Sequence, residues 1–183
     1  MITIAIDPGL SGACAMFDHN GLLAVFDLPT MKIPGVGPSA LVQSKIDART
    51  FLQMVRQKWP ADETARAVVE SVGTMGGANN AVQTQGSLLR TLGALEAVLE
   101  CSRIPTSYVY PQSWKKFYGL IDSNLKSTQR KAQAMECARR LYPDCTDIAR
   151  AKDHNRAEAI LIGHWLVRRD PIDQEAKFAG VPF

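Results

Sequence analysis

Two acidic residues each follow an apolar run at the point where a buried strand should end. Asp7 follows residues 2–6, which include three isoleucines, and Glu70 follows Val68 and Val69. A charge at the end of a central strand is costly unless it is paired or bound to a metal ion. If the two strands are parallel neighbours, both carboxylates emerge at the sheet edge where ligands usually bind. Taken singly, each residue has a plainer interpretation: a turn at Asp7, and a solvated strand end at Glu70.

A third acidic group lies near the C-terminus, where residues 153–159 are DHNRAEA. Glu158 stands between two alanines, which would let its helix approach the sheet closely. His154 lies four residues earlier and would share its helix face. Asp153 suits the N-cap of this helix, and a metal-binding role is the alternative. For His154, the alternative to metal binding is an ordinary surface or core histidine.

Carboxylates on three separate elements favour chemistry with hard cations. Mg²⁺ prefers oxygen ligands, and Mn²⁺ is expected to substitute for it. Two such ions can activate an attacking water and stabilise a leaving oxygen. Basic residues nearby could neutralise phosphates without reading bases, although several basic residues on a helix are often only a solvated face. These candidate DNA-binding residues are Lys115, Lys116, Lys126, Arg130 and Lys131.

Composition sets the context for this chemistry. The chain has 183 residues, a net charge of +3, 46% hydrophobic and 21% charged residues, as expected for one globular domain. We expect neither a membrane span nor a signal peptide. The four cysteines form no CxxC pair, so we expect reduced thiols and a cytoplasmic location, in a bacterium or a phage-infected host.

The elements that must position the acids follow from periodicity and turn signals. Strands are predicted at 2–7, 12–18 and 22–28, with a hairpin turn at Asn20-Gly21. An irregular loop at 29–46 precedes a helix that Asp47 would cap. A strand at 67–70, a helix at 81–101 and a strand at 106–110 follow, and then helices from Pro111, at 127–141 and at 153–169. This order predicts an α/β fold over residues 1–170, with a mixed five-stranded sheet, helices on both faces, and a peripheral tail at 171–183.

Several motifs also resemble those of RuvC-type Holliday-junction resolvases, in order and spacing, over residues 1–168. They are IAIDPG with Ser11-Gly12, VVESV at 68–72, Gln85-Gly86 with the following helix, YPQSWKK at 110–116, and NRAEA at 155–159. The last motif is similar to that of phage-type members, in which Glu replaces a terminal Asp. Together these motifs are fairly specific.

The resemblance implies an RNase H-like fold with a three-strand antiparallel meander and two parallel strands. It also implies a homodimer, formed through the helix at 81–101, that cuts four-way DNA junctions symmetrically with Mg²⁺. Asp7, Glu70 and Glu158 match the family's catalytic, metal-binding acids. The sequence departs from the family at Asn155, where a fourth acid is expected, so that ligand is assigned to Asp153 or His154 without a choice between them. Gly73 stands where members place an aromatic wedge, and Met75 is the nearest apolar candidate for contact with DNA.

Other functions stay open on the sequence alone. A nuclease of this fold could act on other branched DNA or on structured RNA. ATP binding is a third possibility, because sugar kinases and actin-like proteins also place an Asp-x-Gly turn after a first strand. That function requires a second glycine motif and normally a longer chain. A catalytically inactive junction-binding module is the fourth.

Overall fold

The structure is a computed structural model that describes residues 1–33, 43–72 and 82–169, with the backbone alone for residues 82–84. The strands are β1 (Ile2–Asp7), β2 (Ala13–Asp18), β3 (Gly21–Asp27), β4 (Thr30–Ile33), β5 (Gln43–Ile46), β6 (Ala65–Glu70) and β7 (Thr106–Val109). The helices are α1 (Ala48–Lys58), α2 (Val82–Cys101), α3 (Pro111–Phe117), α4 (Ser127–Leu141) and α5 (His154–Arg169), with short 3₁₀ helices at Thr146–Ile148 and Ala151–Asp153. No helix in these ranges is long and apolar enough to cross a membrane.

Five of the strands form one sheet in the order β3-β2-β1-β6-β7. The first three are an antiparallel meander, and β6 and β7 continue the sheet in parallel with β1. The predicted mixed five-stranded sheet is therefore confirmed. β1 is central and its residues 2–6 are buried, which explains why the sequence there is an uninterrupted apolar run.

Each face of the sheet has its own core, because side chains alternate along a strand. Ile2, Ile4 and Ile6 pack with α1 and α2 on one face. Ala5 and Val68 belong to the core on the other face, which includes residues of α3, α4 and α5. The prediction of helices on both faces is confirmed.

One connection differs from its prediction. Residues 29–46 were expected to be an irregular loop, but β4 and β5 pair as a two-stranded antiparallel sheet at the two ends of that segment. The proline and glycine residues that suggested a loop are concentrated at 34–38, and residues 34–42 lie outside the described part of the chain. The predicted tail at 171–183 also lies outside it.

Helix α5 crosses the sheet at very short range. A Cβ atom added at Gly163 would stand 2.1 Å from Phe17 Cε2 and 2.9 Å from the Ala5 Cβ. Only glycine lets the helix backbone come this close to β1 and β2. The glycine thereby sets the distance between the sheet and α5, including the N-terminal turn of this helix.

Candidate active site

Asp7 and Glu70 emerge from the same edge and the same face of the sheet. β1 and β6 pair in parallel with Ile6 opposite Val69, so the next residues of the two strands are neighbours. Because side chains alternate, Asp7 lies on the face of Ala5, and Glu70 on the face of Val68. That is the face covered by α5.

Helix α5 contributes Glu158 from its second turn. The negative charges of Glu70 and Glu158 both reach Asp7. Burial, and then repulsion by these two carboxylates, raises the pKa of Asp7 well above its ordinary value, although Lys115 and Lys131 oppose the shift. The structure thus gathers the three predicted acids into one electrostatically coupled cluster.

Helix α3 holds the other two carboxylates in place. The indole Nε1 of buried Trp114 donates to Glu70 Oε1 at 2.8 Å. The Lys115 ammonium lies 3.4 Å from Glu158 Oε2. Burial raises the pKa of Glu70, while the Trp114 hydrogen bond and the Lys115 charge act against that shift. Pro111 occupies the first turn of α3, where its missing N–H costs nothing.

For the metal-dependent cleavage proposed below, we expect Trp114→Phe to lower the rate by roughly 10- to 100-fold, the usual loss when a partner of a metal ligand is removed. The phenyl ring keeps most of the buried volume but cannot donate to Glu70. The measurement is the single-turnover cleavage rate as a function of Mg²⁺ concentration.

Trp59→Phe is the matched control, since Trp59 Nε1 donates to the Glu63 carbonyl at 2.7 Å, away from the acids. Equal losses in the two variants would show that Trp114 does not act through Glu70.

The loop after β1 is tied to the start of α5. Asn155 Nδ2 donates to the Ser11 carbonyl at 2.5 Å. Within the loop, Gly12 N donates to the Gly9 carbonyl at 3.0 Å. A Cβ atom at Gly12 would stand 2.1 Å from the Asp7 carbonyl oxygen, whereas one at Gly9 meets its nearest atom at 3.6 Å. Gly12 is therefore required for the close turn that presents Asp7.

We expect Gly12→Ala to destabilise the protein by about 1–3 kcal/mol, because backbone atoms must move to admit the methyl group. The same movement displaces Asp7, so metal-dependent cleavage should fall as well. Gly9→Ala should leave both properties near those of the wild type. Chemical denaturation and cleavage rates would measure this, and equal behaviour of the two variants would contradict it.

The structure does not bring Asp153 to the acidic cluster. Its carboxylate accepts from the Arg150 backbone N at 2.9 Å and forms an ion pair with the Arg150 guanidinium at 2.8 Å. These bonds hold the pKa of Asp153 below its usual range. Asp153 ends a 3₁₀ helix directly before α5, whose first residue is His154. Its oxygens are bonded to Arg150, and a metal-binding role of Asp153 stays a prediction.

The other predicted fourth ligand, His154, is hydrogen-bonded to a lysine side chain. Its Nε2 lies 2.9 Å from Lys131 Nζ, so this nitrogen accepts from the ammonium. The neighbouring Asn155 lies nearer to the acids, because it lines the same cavity as Asp7 and Glu158. The sequence pattern marked this position only as a departure from the expected acid.

The cavity beside the acids has a volume of about 610 Å³ and carries opposite charges. Asp7, Asn155 and Glu158 line it together with Lys115, Arg130 and Lys131. Among the other predicted DNA-binding residues, Lys116 and Lys126 are exposed and lie outside this lining. Met75 lies outside the described residues.

The donor set suits a hard divalent cation, since carboxylate and amide oxygens are the ligands such ions prefer. Nevertheless, no three His, Cys, Asp or Glu side chains of the described residues stand close enough together to hold a metal ion. A divalent cation would remove the repulsion that raises the pKa of Asp7.

Comparison with known proteins supports the fold. No family model matches the sequence, and no curated protein matches it. The chain is similar to the structure of T. thermophilus RuvC in complex with a Holliday junction substrate, at 15% sequence identity and a TM-score of 0.54. That alignment covers 92% of this chain and 95% of the RuvC chain.

Two further structures align over comparable lengths. A Thermus thermophilus RuvC structure has 13% identity and a TM-score of 0.45, covering 92% of this chain and 96% of that one. Fowlpox virus resolvase in complex with Holliday junction DNA has 11% identity and a TM-score of 0.46, covering 92% and 97%. The chain shares its fold with the T. thermophilus RuvC of the junction complex, and this is the RNase H-like fold that the sequence motifs predicted.

Proposed function

We propose that this protein is a metal-dependent endonuclease that resolves four-way DNA junctions by paired, symmetric cleavage of phosphodiester bonds. The observation that carries the proposal is the convergence of Asp7, Glu70 and Glu158 at one edge of the sheet. Burial and the charges of Glu70 and Glu158 raise the pKa of Asp7, so its ionised carboxylate is held at a cost in stability. Such a cost is typical of a site built for cations.

Each residue has a distinct role in this proposal. Asp7, Glu70, Glu158 and the Asn155 amide oxygen would hold Mg²⁺, with Mn²⁺ able to substitute. Bound cations would lower the pKa of the attacking water and stabilise the charge on the leaving oxygen. Trp114 orients Glu70.

The basic wall of the cavity fits the substrate. Lys115, Arg130 and Lys131 line the same cavity as Asp7 and Glu158, so a phosphodiester bound there could contact both the basic side chains and the metal-bearing carboxylates. Contacts of this kind hold the backbone without reading its sequence. Lys116 and Lys126 would extend the contact along the exposed surface.

Symmetric cutting requires two such sites, and we therefore propose a homodimer. The resemblance assigns its interface to α2. Among the residues that the structure describes, nothing lies within 4 Å of an added Cβ at Gly86 or Gly93, which supports this face of α2 as the contact with a second copy. Size-exclusion chromatography with light scattering tests the dimer independently of activity.

The cleavage assay compares labelled four-way junction, flap, duplex and RNA–DNA hybrid substrates in Mg²⁺ and in EDTA. Paired symmetric nicks in the junction alone support the proposal. Equal cutting of the flap or the hybrid would instead indicate a nuclease of the same fold with another substrate. Junction binding without metal-dependent cleavage would overturn the enzymatic assignment.

A further inference from the structure

Arg156 links its own helix to two other parts of the chain next to the acidic cluster. Its Nε and Nη2 donate to the two carboxylate oxygens of Asp27, both at 2.7 Å. Its Nη1 donates to the Asp147 carbonyl at 3.1 Å and lies 3.7 Å from the Asp147 carboxylate. One guanidinium therefore joins the end of β3, the first 3₁₀ helix and the first turn of α5.

The position of Asp27 makes this contact relevant to the site. Asp7 pairs with Ala13 in the sheet, and Ala13 pairs with Asp27 on its other side. The three residues form one row across neighbouring strands. Val25 belongs to the α5-side core, so Asp27, two residues later, lies on the α5 face as Asp7 does. The carboxylate that holds Arg156 is thus anchored in register with the central acid.

Arg156 also lies between the two residues that α5 supplies to the cavity. Asn155 precedes it directly, and Glu158 follows two positions later. A bidentate guanidinium–carboxylate pair fixes orientation as well as distance, which a single hydrogen bond does not.

Exposure indicates which effect of the pair dominates. The Asp27 side chain is 61% exposed and that of Arg156 is 16% exposed. Because solvent reaches the Asp27 side of the pair, the pair is screened and contributes little to global stability. Its geometry, however, controls where the first turn of α5 stands relative to β1.

From this arrangement we infer that Arg156 and Asp27 form a positioning clamp for the metal site. The clamp holds the N-terminal turn of α5 against the sheet so that Asn155 and Glu158 line the same cavity as Asp7. Neither residue touches the substrate or a cation. The inference rests on the proposed function only in assuming that the acids bind a divalent cation.

The test measures Mn²⁺ binding to the full chain without DNA, by the electron paramagnetic resonance signal of free Mn²⁺. We expect Arg156→Gln to weaken Mn²⁺ binding by roughly 10- to 100-fold. Its melting temperature should change by no more than about 2–4 °C, as expected for loss of an exposed pair in a protein of this size. Arg156→Lys keeps the charge without the fork and should fall between Arg156→Gln and the wild type.

Two comparisons separate positioning from general destabilisation. Glu63→Gln removes the ion pair with the N-terminal amine at the opposite edge of the sheet and should leave Mn²⁺ affinity unchanged. Adding Asp27→Asn to Arg156→Gln should cause little further loss, because both substitutions break the same contact. Junction affinity measured in EDTA should stay near that of the wild type in every variant.

Wild-type Mn²⁺ affinity in Arg156→Gln would overturn the inference, as would equal losses in Glu63→Gln. Failure of the wild type to bind Mn²⁺ would overturn it as well. If the wild type binds Mn²⁺ but cuts no junction, the proposed function fails, and weaker Mn²⁺ binding by Arg156→Gln would still support the clamp. If the wild type cuts junctions and Arg156→Gln binds Mn²⁺ normally, the clamp alone fails.

Discussion

Asp7→Asn should abolish Mg²⁺-dependent junction cleavage and at the same time raise the melting temperature of the metal-free protein. The loss of activity should exceed ~100-fold, the upper value for changes one step removed from a metal ligand. Asp7 is the carboxylate that both Glu70 and Glu158 repel, so it is the centre of the cluster. Asparagine keeps the shape of the side chain while removing its charge. Binding of the junction in EDTA should persist.

The gain in stability follows from the direction of the pKa shift. The folded protein holds the Asp7 proton more tightly than the unfolded chain does, so the ionised carboxylate opposes folding at neutral pH. This penalty is fully present above the raised folded-state pKa. It disappears as pH falls toward the ordinary value of 3.8, where the unfolded chain also takes up the proton. The advantage of Asp7→Asn should therefore be largest at neutral pH and shrink in acid.

Thermal melts across pH, with and without Mg²⁺, measure both effects. Mg²⁺ should raise the melting temperature of the wild type much more than that of the variant. Asp18→Asn is the matched control, because Asp18 ends β2 at the opposite edge and accepts from the Asn20 backbone N in a turn. A variant that is less stable than the wild type at neutral pH without metal would contradict this account of the cluster.

A large loss of stability is expected for Gly163→Ala. The new methyl group would stand 2.1 Å from Phe17 Cε2, and Phe17 is only 1% exposed, so its ring has little room to move. Overpacking of this kind costs about 1–3 kcal/mol or more. The better helix propensity of alanine offsets at most about 1 kcal/mol of that cost. Helix α5 should also shift away from β1, so metal-dependent cleavage should fall together with stability.

Chemical denaturation of single and double variants tests the contact directly. Phe17→Leu should destabilise the protein alone but recover part of the loss when combined with Gly163→Ala, because the smaller side chain makes room. Gly9→Ala is the control and should change stability little, because its added Cβ would meet its nearest atom at 3.6 Å. Simple additivity of the Phe17 and Gly163 effects would show that the predicted clash does not occur.

The sequence predicted the positions of Asp7 and Glu70 well because both depend on local patterns. Alternation within β1 and β6 set the face of each carboxylate, and parallel pairing set the common edge. Glu158 could be predicted for a similar reason, since its flanking alanines indicated a helix that lies close to the sheet. These signals extend over only a few residues, and the fold then brings them together.

What the sequence could not provide were contacts between distant side chains. Trp114 and Glu70 are separated by 44 positions, and Arg156 and Asp27 by 129, so no local pattern links either pair. The ion pair of Asp153 is a short-range contact that was also not predicted. Its partner Arg150 lies only three residues away in the sequence. The β4–β5 pairing escaped prediction because each strand is only four residues long and a proline- and glycine-rich segment separates them.

The hydrogen bond from Trp114 to Glu70 also means that tryptophan fluorescence can report on the site. Indole emission responds to charges and hydrogen-bond acceptors near its N–H. Here the acceptor is the Glu70 carboxylate, whose negative charge a bound cation would offset. With Trp59 and Trp165 changed to Phe, the remaining tryptophan emission would come from Trp114, which is hydrogen-bonded to the acidic cluster. Stopped-flow mixing with Mg²⁺ would then follow the arrival of the cation in real time, before any strand is cut and without an added label.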